Sequence, residues 1–235
     1  MAIWSILPFF RMLRKKEQGG GWCDTTDDCL IKVKKSPSTS STKNAPAASF
    51  GGILSPEQTI NPDFYNWNRV YIRYCDGSSF IGDVEAVDSE TNLHYRGSRI
   101  FSAVIDELLE KGFKNAQNAI LVGNSAGGLA TMLHCDRFRA LIPNAKRVKC
   151  ISDSEFRNTF LGTLKEIGDR PSTGLFINSC YIHDYLFSNP RWNSDGSPRL
   201  DNKTIAQAIG DWYFERSIVK LIDTQPDRPL DCHLL

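Results

Sequence analysis

This chain of 235 residues lacks the features that would place it in several large functional classes. Its cysteines form no C-x-x-C pair, so neither a zinc site nor thioredoxin-like redox chemistry is expected. Its 28 basic and 27 acidic side chains leave a net charge of +1, which gives no general attraction to nucleic acid or to an anionic membrane. No apolar run is long enough to span a bilayer. We therefore expect no metal, no nucleic-acid partner and no membrane partner.

Cysteine, by contrast, is abundant for a cytosolic chain of this length. Seven cysteines suggest an oxidising compartment, where disulfides persist. Cys23 with Cys29, and Cys135 with Cys150, are plausible local bridges, although the sequence alone does not set the connectivity. The odd count leaves at least one thiol without an intramolecular partner.

The start of the chain does not have the order of a secretory signal peptide. A short apolar run at residues 3–10 comes first, and a basic cluster within residues 11–16 follows it. A signal peptide has its charges first and a small-residue cleavage site last. We therefore do not expect this start to act as a signal peptide.

Strand and helix patterns alternate along the chain. Short apolar or alternating runs predict strands, and apolar residues at helical spacing predict helices. The predicted strands are residues 69–74, 119–122, 148–152 and 175–177. The predicted helices are residues 98–111, 129–138 and 204–222. This alternation predicts an α/β fold with a mostly parallel sheet that is covered by helices.

The most informative motif is Gly123-Asn124-Ser125-Ala126-Gly127, a G-x-S-x-G pattern between an apolar β-branched run and a run of small residues. This is the strand-turn-helix context of the nucleophile elbow of an α/β-hydrolase. Small neighbours let the strand and helix approach closely, and the turn presents the Ser125 hydroxyl above the sheet. The motif therefore predicts a catalytic serine. The alternative is a glycine-rich turn in which Ser125 caps the helix.

A serine nucleophile needs a histidine base, which follows the serine along the chain in this fold. Three histidines come after Ser125. His134 falls on the helix of the elbow and should point away from the serine, and His233 lies in the C-terminal tail. His183 follows the strand predicted at residues 175–177 and is the best base by elimination. The alternative is that it is an ordinary surface-loop histidine.

An oxyanion hole needs two backbone N–H donors aimed at the developing negative charge. One comes from the residue after the nucleophile, which here is Ala126. The other comes from an earlier glycine-rich loop, and the stretch Gly19-Gly20-Gly21-Trp22 fits because glycine lets the backbone approach a substrate. The alternative for this stretch is a plain flexible turn.

Several longer motifs together resemble one family. They are G-G-G-W-C at residues 19–23, N-P-D-F-Y-N-W-N at 61–68, I-R-Y-C-D-G-S-S-F at 72–80, G-N-S-A-G-G-L-A-T at 123–131, and stretches at 134–136, 176–181 and 209–214. With these motifs the chain resembles the plant pectin acetylesterases, which are related to the Notum carboxylesterases. The resemblance covers nearly all of residues 19–223. It predicts one α/β-hydrolase-like domain over residues 19–235, after a divergent segment at residues 1–18.

The resemblance implies a secreted cell-wall enzyme that removes acetyl esters from pectin (homogalacturonan). Carried over by matching motifs, the nucleophile is Ser125 and the histidine is His183. The oxyanion donors carry over to Gly21, Trp22 and Ala126. The resemblance also implies acetylated pectin as the partner, a monomer, and no cofactor or metal.

The chain departs from the family where the catalytic acid is expected. In the family the acid lies in a segment resembling N-A-A-Y-D-S-W, between stretches that match residues 152–156 and 159–161 here. Phe156 runs almost directly into Thr159, so we expect that a large internal block with at least one strand is missing. Asp153 ends a predicted strand at a suitable place in the chain order and is a weak geometric substitute for the acid.

Two further departures concern the N-terminus and the cysteines. Residues 12–18 stand where the family has an apolar strand leading into the glycine-rich loop, and they are too charged for a buried central strand. Asn124 and Asp184 stand where the family usually has cysteine, which should remove native bridges. These departures support a second interpretation, a catalytically impaired or inactive truncated paralogue that acts at most as a carbohydrate-binding pseudoenzyme.

Overall fold

The computed structural model describes residues 3–9, 21–35, 50–153, 170–180 and 183–223, with residues 3–9 described by their backbone. The chain divides into two compact units. Unit 1 consists of Met1–Ala48 and Trp67–Asp153, and unit 2 consists of Ser49–Asn66 and Ser154–Leu235. A single domain over residues 19–235 stays a prediction. Across the described ranges, no helix has both the length and the apolar character needed to cross a membrane.

A four-stranded parallel sheet lies at the centre of unit 1. Its strands are β1 (Ile3–Phe9), β2 (Asn68–Arg73), β3 (Asn118–Asn124) and β4 (Arg147–Asp153). They lie side by side in the order β2-β1-β3-β4. All residues of β3 after Asn118 are buried, as expected for a parallel strand covered on both faces. The strands predicted in this unit and the parallel α/β architecture are thereby confirmed.

The central sheet has an inner strand upstream of the charged residues 12–18. That strand is β1, formed by the apolar run upstream of them, and it pairs with β2 on one side and β3 on the other. Trp4, for example, is in register with Asn68 of β2 and with Ala119 of β3. Strands of about five to six residues are common, and this apolar run supplies seven. Residues 12–18 themselves lie outside the described residues.

Helices and the sheet share one hydrophobic core in unit 1. Unit 1 contains α1 (Thr26–Lys35), and the helices that contribute to this core are α2 (Gly97–Glu110) and α3 (Ala126–Leu141). Helix α2 buries Phe101, Ile105 and Leu108, whose spacing of four and three residues places them on one helical face. The helix predicted at residues 98–111 is confirmed to within one residue. Gly112, with a φ of 104°, follows it in the left-handed region that favours glycine.

Both local disulfides suggested by the sequence are confirmed. Cys23 is bonded to Cys29, and Cys135 of α3 is bonded to Cys150 of β4. The second bridge ties the helix that follows Ser125 to the neighbouring strand. Within the described part of the chain, Cys75 is the free cysteine that the odd count required. Disulfide formation at these positions agrees with an oxidising environment.

The described part of unit 2 contains a small parallel sheet and two helices around an aromatic core. The strands are β5 (Leu175–Ile177) and β6 (Lys220–Ile222), and the helices are α4 (Asn189–Trp192) and α5 (Ile205–Tyr213). Phe64, Trp192 and Tyr213 are almost completely buried. The rings of Phe64 and Tyr213 meet edge to face, with centroids 5.6 Å apart. The strand predicted at residues 175–177 is confirmed, and Cys180 after it is disulfide-bonded.

The closing helix predicted over residues 204–222 is wrong in its second half. It begins as expected, because Thr204 and Gln207 form a capping box in which each side chain accepts from the other residue's backbone N–H. The helix ends at Tyr213, and Glu215 has a φ of 60°, which a helix cannot continue through. The residues beyond this break form β6 and pair with β5 instead.

Candidate active site

Ser125 occupies a strained turn between β3 and α3. Its φ of 55° and ψ of −124° lie outside the regions that non-glycine residues usually adopt. Two backbone hydrogen bonds hold the turn: the Ser125 N–H donates to the Asp153 carbonyl at 2.8 Å, and the Leu129 N–H donates to the Ser125 carbonyl at 3.1 Å. Such imposed strain is characteristic of a nucleophile elbow, which is the conformation that the G-x-S-x-G motif predicted.

Glycines on either side of Ser125 allow the strand and helix to meet this closely. A Cβ atom added at Gly123 would lie 2.0 Å from the Gly127 carbonyl oxygen and 2.7 Å from the Thr131 hydroxyl. One added at Gly128 would lie 3.0 Å from the Asp153 carbonyl oxygen. The glycines therefore serve packing at this crossing, since neither has a positive φ.

The hydroxyl of Ser125 is not used to cap the helix. Ser125 stands at the N-cap position of α3, yet its side chain makes no capping hydrogen bond. The residue is half-buried, and none of the described residues forms a hydrogen bond with its hydroxyl. The alternative interpretation of the motif, a serine needed as a helix cap, therefore does not describe this turn.

The Gly21-Trp22 segment is held by its carbonyl oxygen. The Gly21 carbonyl accepts hydrogen bonds from the Tyr74 hydroxyl, at 3.0 Å, and from the Lys32 ammonium. Among the described residues, no hydrogen bond engages the backbone amides of Gly21, Trp22 or Ala126. These are the three amides expected in an oxyanion hole. Gly19 and Gly20, the other glycines of the predicted loop, lie outside the described residues.

Burial shifts the pKa values of Lys32 and Tyr74, the two side chains that hydrogen-bond the Gly21 carbonyl. It lowers the pKa of Lys32, with the Asp76 carboxylate opposing this shift. It raises the pKa of Tyr74, so the phenol stays protonated and remains a hydrogen-bond donor throughout the ordinary pH range. The ammonium of Lys32 also lies 5.2 Å from the centre of the Tyr74 ring, within the range of a cation–π contact.

Ser79, which the motif analysis did not single out, connects Trp22 to the elbow. The indole N–H of Trp22 donates to the Ser79 hydroxyl at 2.7 Å, and that hydroxyl donates to the Ala126 carbonyl at 2.7 Å. Two predicted oxyanion donors are thus joined through one side chain. The only signal in the sequence was its place in the D-G-S-S-F turn that follows β2.

Asp153 lies at the end of β4, beside the end of β3 that leads into the elbow. Asn124 is its partner in the strand register, and the Asn124 side-chain amide donates to the Asp153 carboxylate at 3.2 Å. The amide oxygen of Asn124 and the hydroxyl of Thr131 are buried and have no hydrogen-bond partner among the described residues. Asp153 therefore borders the elbow, and its role as the catalytic acid stays a prediction.

His134 faces away from the elbow, as expected from its place on α3. Its ring is buried, lies 2.9 Å from the Phe80 carbonyl oxygen through Nε2, and stacks on Phe101 with ring centres 4.5 Å apart. Burial lowers the pKa of His134, although the hydrogen bond with Phe80 opposes the shift. The histidine is thus part of the core of unit 1.

This lowered pKa predicts a pH-dependent stability. An unfolded histidine binds a proton near pH 6.5, whereas burial lowers the pKa of His134 in the folded protein. The neutral His134 ring therefore contributes fully to the free energy of unfolding above pH 6.5, and this contribution is lost as the pH falls below that value. We expect His134→Gln, whose amide can still donate to the Phe80 carbonyl, to flatten the fall of the unfolding free energy between pH 7 and pH 5. Urea unfolding across this range measures the effect. The exposed His94 is the control position, and equal slopes for His134→Gln and wild type would contradict the prediction.

His183 belongs to unit 2 and comes after β5 along the chain. The guanidinium of Arg191 donates to the His183 carbonyl at 2.6 Å. Asp184 beside it has a φ of 70°, and its carboxylate accepts from the Phe187 N–H at 3.3 Å. These two hydrogen bonds connect His183 and Asp184 to other residues of unit 2. His233 lies outside the described residues.

Comparison with known proteins assigns the family. A family model described as Pectinacetylesterase matches the chain in two segments, residues 16–156 and 154–233. The chain belongs to this family. The resemblance carried by the sequence motifs is thereby confirmed, and the chain is a member of a family of carboxylic ester hydrolases.

Curated relatives agree with this membership of the pectinacetylesterase family. Pectin acetylesterase 11 of Arabidopsis thaliana is 30% identical to this chain, and the alignment covers 88% of this chain and 79% of the relative. Pectin acetylesterase 7 of the same plant is 31% identical with the same coverage. Palmitoleoyl-protein carboxylesterase notum2 of Xenopus laevis is 35% identical over 52% of this chain and 25% of its own length.

A solved structure supports the fold of this pectinacetylesterase-family chain. The Wnt deacylase Notum from Drosophila superposes with a TM-score of 0.74 at 20% identity, covering 94% of this chain and 87% of that chain. A second crystal form of the same protein gives a TM-score of 0.76. The predicted α/β-hydrolase-like fold is confirmed.

The alignments agree with the expected missing internal block. The alignment with Pectin acetylesterase 11 extends over 311 residues, which is longer than the entire chain of 235. That relative therefore contains residues with no counterpart here. The two segments matched to the family model meet at residues 154–156, which is where the sequence motifs place the missing block.

Proposed function

We propose that this chain is an acetylesterase that removes acetyl groups from cell-wall pectin, with Ser125 as its nucleophile. The observation that carries the proposal is the strained turn at Ser125, whose φ is 55° and whose hydroxyl makes no capping hydrogen bond. Backbone conformations of this cost cluster at active sites, where the surrounding structure holds them in place. Acetylated pectin is proposed as the substrate because the relatives that cover most of the chain are pectin acetylesterases.

The proposed reaction has two steps. His183 accepts the proton of the Ser125 hydroxyl as its oxygen attacks the acetyl carbonyl carbon, and the resulting oxyanion is stabilised by N–H groups of Gly21, Trp22 and Ala126. Collapse breaks the ester bond, His183 returns the proton to the sugar hydroxyl, and an acetyl-enzyme remains. Water, deprotonated by His183, then releases acetate and restores Ser125. No metal or cofactor takes part.

The position of Ala126 supports its role as an oxyanion donor. It is the first residue of α3, where backbone N–H groups have no partner within the helix and the helix dipole favours negative charge. Gly21 has a φ of 67°, a conformation that favours glycine and turns its peptide toward the groups that hold it. These donors are backbone N–H groups, which do not titrate in the ordinary pH range, so their hydrogen bonds to the oxyanion do not depend on pH.

We further propose that the protein works as a monomer outside the cell, at the cell wall. Two disulfides support an oxidising compartment, because such bonds persist there and are reduced in the cytosol. Recognition of pectin requires no nucleic acid or membrane, and the near-neutral net charge of +1 agrees with this.

A second candidate function is a pseudoenzyme that binds pectin without hydrolysing it. The break between the matched segments at residues 154–156 favours this candidate, because the family's acid segment is expected there. A serine hydrolase whose orienting acid is lost typically turns over about 10⁴-fold more slowly. An active acetylesterase therefore requires another carboxylate to orient the histidine. Asp153, which borders the elbow, is the candidate for this role.

Acetate release from acetylated pectin separates the two candidates. We expect the purified full chain to release acetate continuously, and a Ser125→Ala variant with the same circular dichroism spectrum to release none above background. Co-sedimentation with insoluble pectin is measured on both proteins in parallel. Binding without release by the wild type would contradict the acetylesterase and support the pseudoenzyme.

A further inference from the structure

We propose that Ser79 is a positioning residue that holds the two sides of the oxyanion hole at a fixed separation. The inference rests on the proposed function, because it assigns Ser79 a role in the hydrolysis carried out at Ser125. Ser79 does not contact the substrate in this account. It acts through Trp22, Gly21 and Ala126, whose amides are the proposed donors.

The side chain of Ser79 uses its single hydroxyl twice. Its oxygen accepts from the Trp22 indole N–H, and its hydrogen is donated to the Ala126 carbonyl, both at 2.7 Å. The residue is fully buried, so water does not compete for either bond. A hydroxyl can accept and donate at once, whereas alanine offers neither function and leaves both partners unpaired.

The backbone of Ser79 fixes the other end of the loop. Its N–H donates to the Tyr74 hydroxyl at 3.1 Å, and that hydroxyl donates to the Gly21 carbonyl at 3.0 Å. The Gly21 carbonyl and the Trp22 N–H belong to one planar peptide group and point in opposite directions. Holding the carbonyl therefore sets the direction in which the Trp22 N–H points.

The turn around Ser79 has an unusual backbone conformation that hydrogen bonds support. Ser79 and Phe80 have φ values of 54° and 60°, in the left-handed region. Asp76 supports this conformation, because its carboxylate accepts from the Phe80 N–H at 3.2 Å and from the Ser78 hydroxyl at 2.7 Å. An unusual and costly backbone at a buried serine between two donor groups agrees with a positioning role.

We expect Ser79→Ala to lower kcat for p-nitrophenyl acetate by about tenfold to a hundredfold and to leave KM within about twofold. The reason is that a small misplacement of an oxyanion donor weakens its bond to the transition state more than its contact with the bound ester. Ser102→Ala is the matched control, since it removes a serine hydroxyl on α2 that donates to the Ser98 carbonyl of the same helix at 3.0 Å. Thermal unfolding checks that both variants fold.

A double-mutant cycle tests whether Ser79 acts through Trp22. Trp22→Phe removes the indole N–H and keeps an aromatic ring, and the side chain is 45% exposed, so this variant should fold even if Ser79→Ala does not. We expect each single change to lower kcat and the double variant to be about as slow as the slower single variant, because both changes remove the same hydrogen bond.

The outcomes distinguish this inference from the proposed function. A fall in kcat at constant KM with a non-additive double variant supports the positioning role. An unchanged kcat for Ser79→Ala, or effects of the two changes that multiply, overturns it and leaves an active Ser125 in place. A folded wild type without Ser125-dependent turnover contradicts the proposed function, and the inference then fails with it.

Discussion

Ser125→Ala is expected to lower kcat for ester hydrolysis by about 10⁴-fold or more, the largest effect of any single change in this chain. The alanine removes the oxygen that forms the acetyl-enzyme, and no neighbouring group can take its place in the turn. Its methyl side chain occupies the same Cβ position, so the elbow itself should persist. Initial rates with p-nitrophenyl acetate, measured beside circular dichroism spectra, provide the test.

His183→Ala should have an effect of similar size, and the double variant should be no slower than either single one. A nucleophile and its base act as a unit, so removing the second group after the first costs little more. His94→Ala is the matched control, because His94 is exposed on unit 1 and has no place in the proposed chemistry. Full activity of His183→Ala would show that another group is the base.

Gly123→Ala is expected to have the largest effect on folding, a loss of about 3–5 kcal/mol in the free energy of unfolding. The added methyl would lie 2.0 Å from the Gly127 carbonyl oxygen and 2.3 Å from its carbon. Both atoms belong to the backbone of α3, so neither can rotate away. The strand and helix would have to separate, which would also displace Ser125. Urea unfolding of the variant and the wild type measures the change.

Gly112→Ala provides the contrast for this prediction. An added Cβ at Gly112 meets no atom within 4 Å, so its cost arises from the positive φ of 104° alone. We expect a loss of about 1–2 kcal/mol there, clearly smaller than at Gly123. Equal losses at the two positions would mean that close packing at the elbow is not what requires glycine.

The elbow was predictable from the sequence because its determinants are local. An apolar strand, a G-x-S-x-G turn and a run of small residues lie within a dozen positions, and each has a direct steric reason. The local disulfides were suggested for the same reason, since Cys23 and Cys29 are six residues apart. The family motifs added the fold, which the superposition on Notum confirms.

The errors of the sequence analysis arose where distant contacts decide the structure. The apolar run Ile3–Phe9 carries no local pattern that marks it as a strand, and its pairing with β2 and β3 makes it an inner strand of the sheet. The apolar residues after Tyr213 fit a helical period, yet they pair with β5 as a strand. A periodic pattern over so few residues fits a helix and a strand about equally well.

Ser79 illustrates a role that no local pattern reveals. Serine is common in turns, and nothing near residue 79 indicates that its hydroxyl reaches Trp22 and Ala126, which lie far away in the chain. Its function depends on bringing three segments of unit 1 together. Such a residue is found from its contacts, and then only where both partners already have a proposed function.

The proposed hydrolysis requires a reactive hydroxyl at Ser125, and covalent labelling measures this property alone. A fluorophosphonate ester loses fluoride to an activated serine and leaves a stable phosphonyl group, which peptide mass spectrometry can locate. We expect one group per chain, on the peptide that contains Ser125, and no label on the folded Ser125→Ala variant. A folded wild type that stays unlabelled, or that carries the label on another serine, would contradict the account.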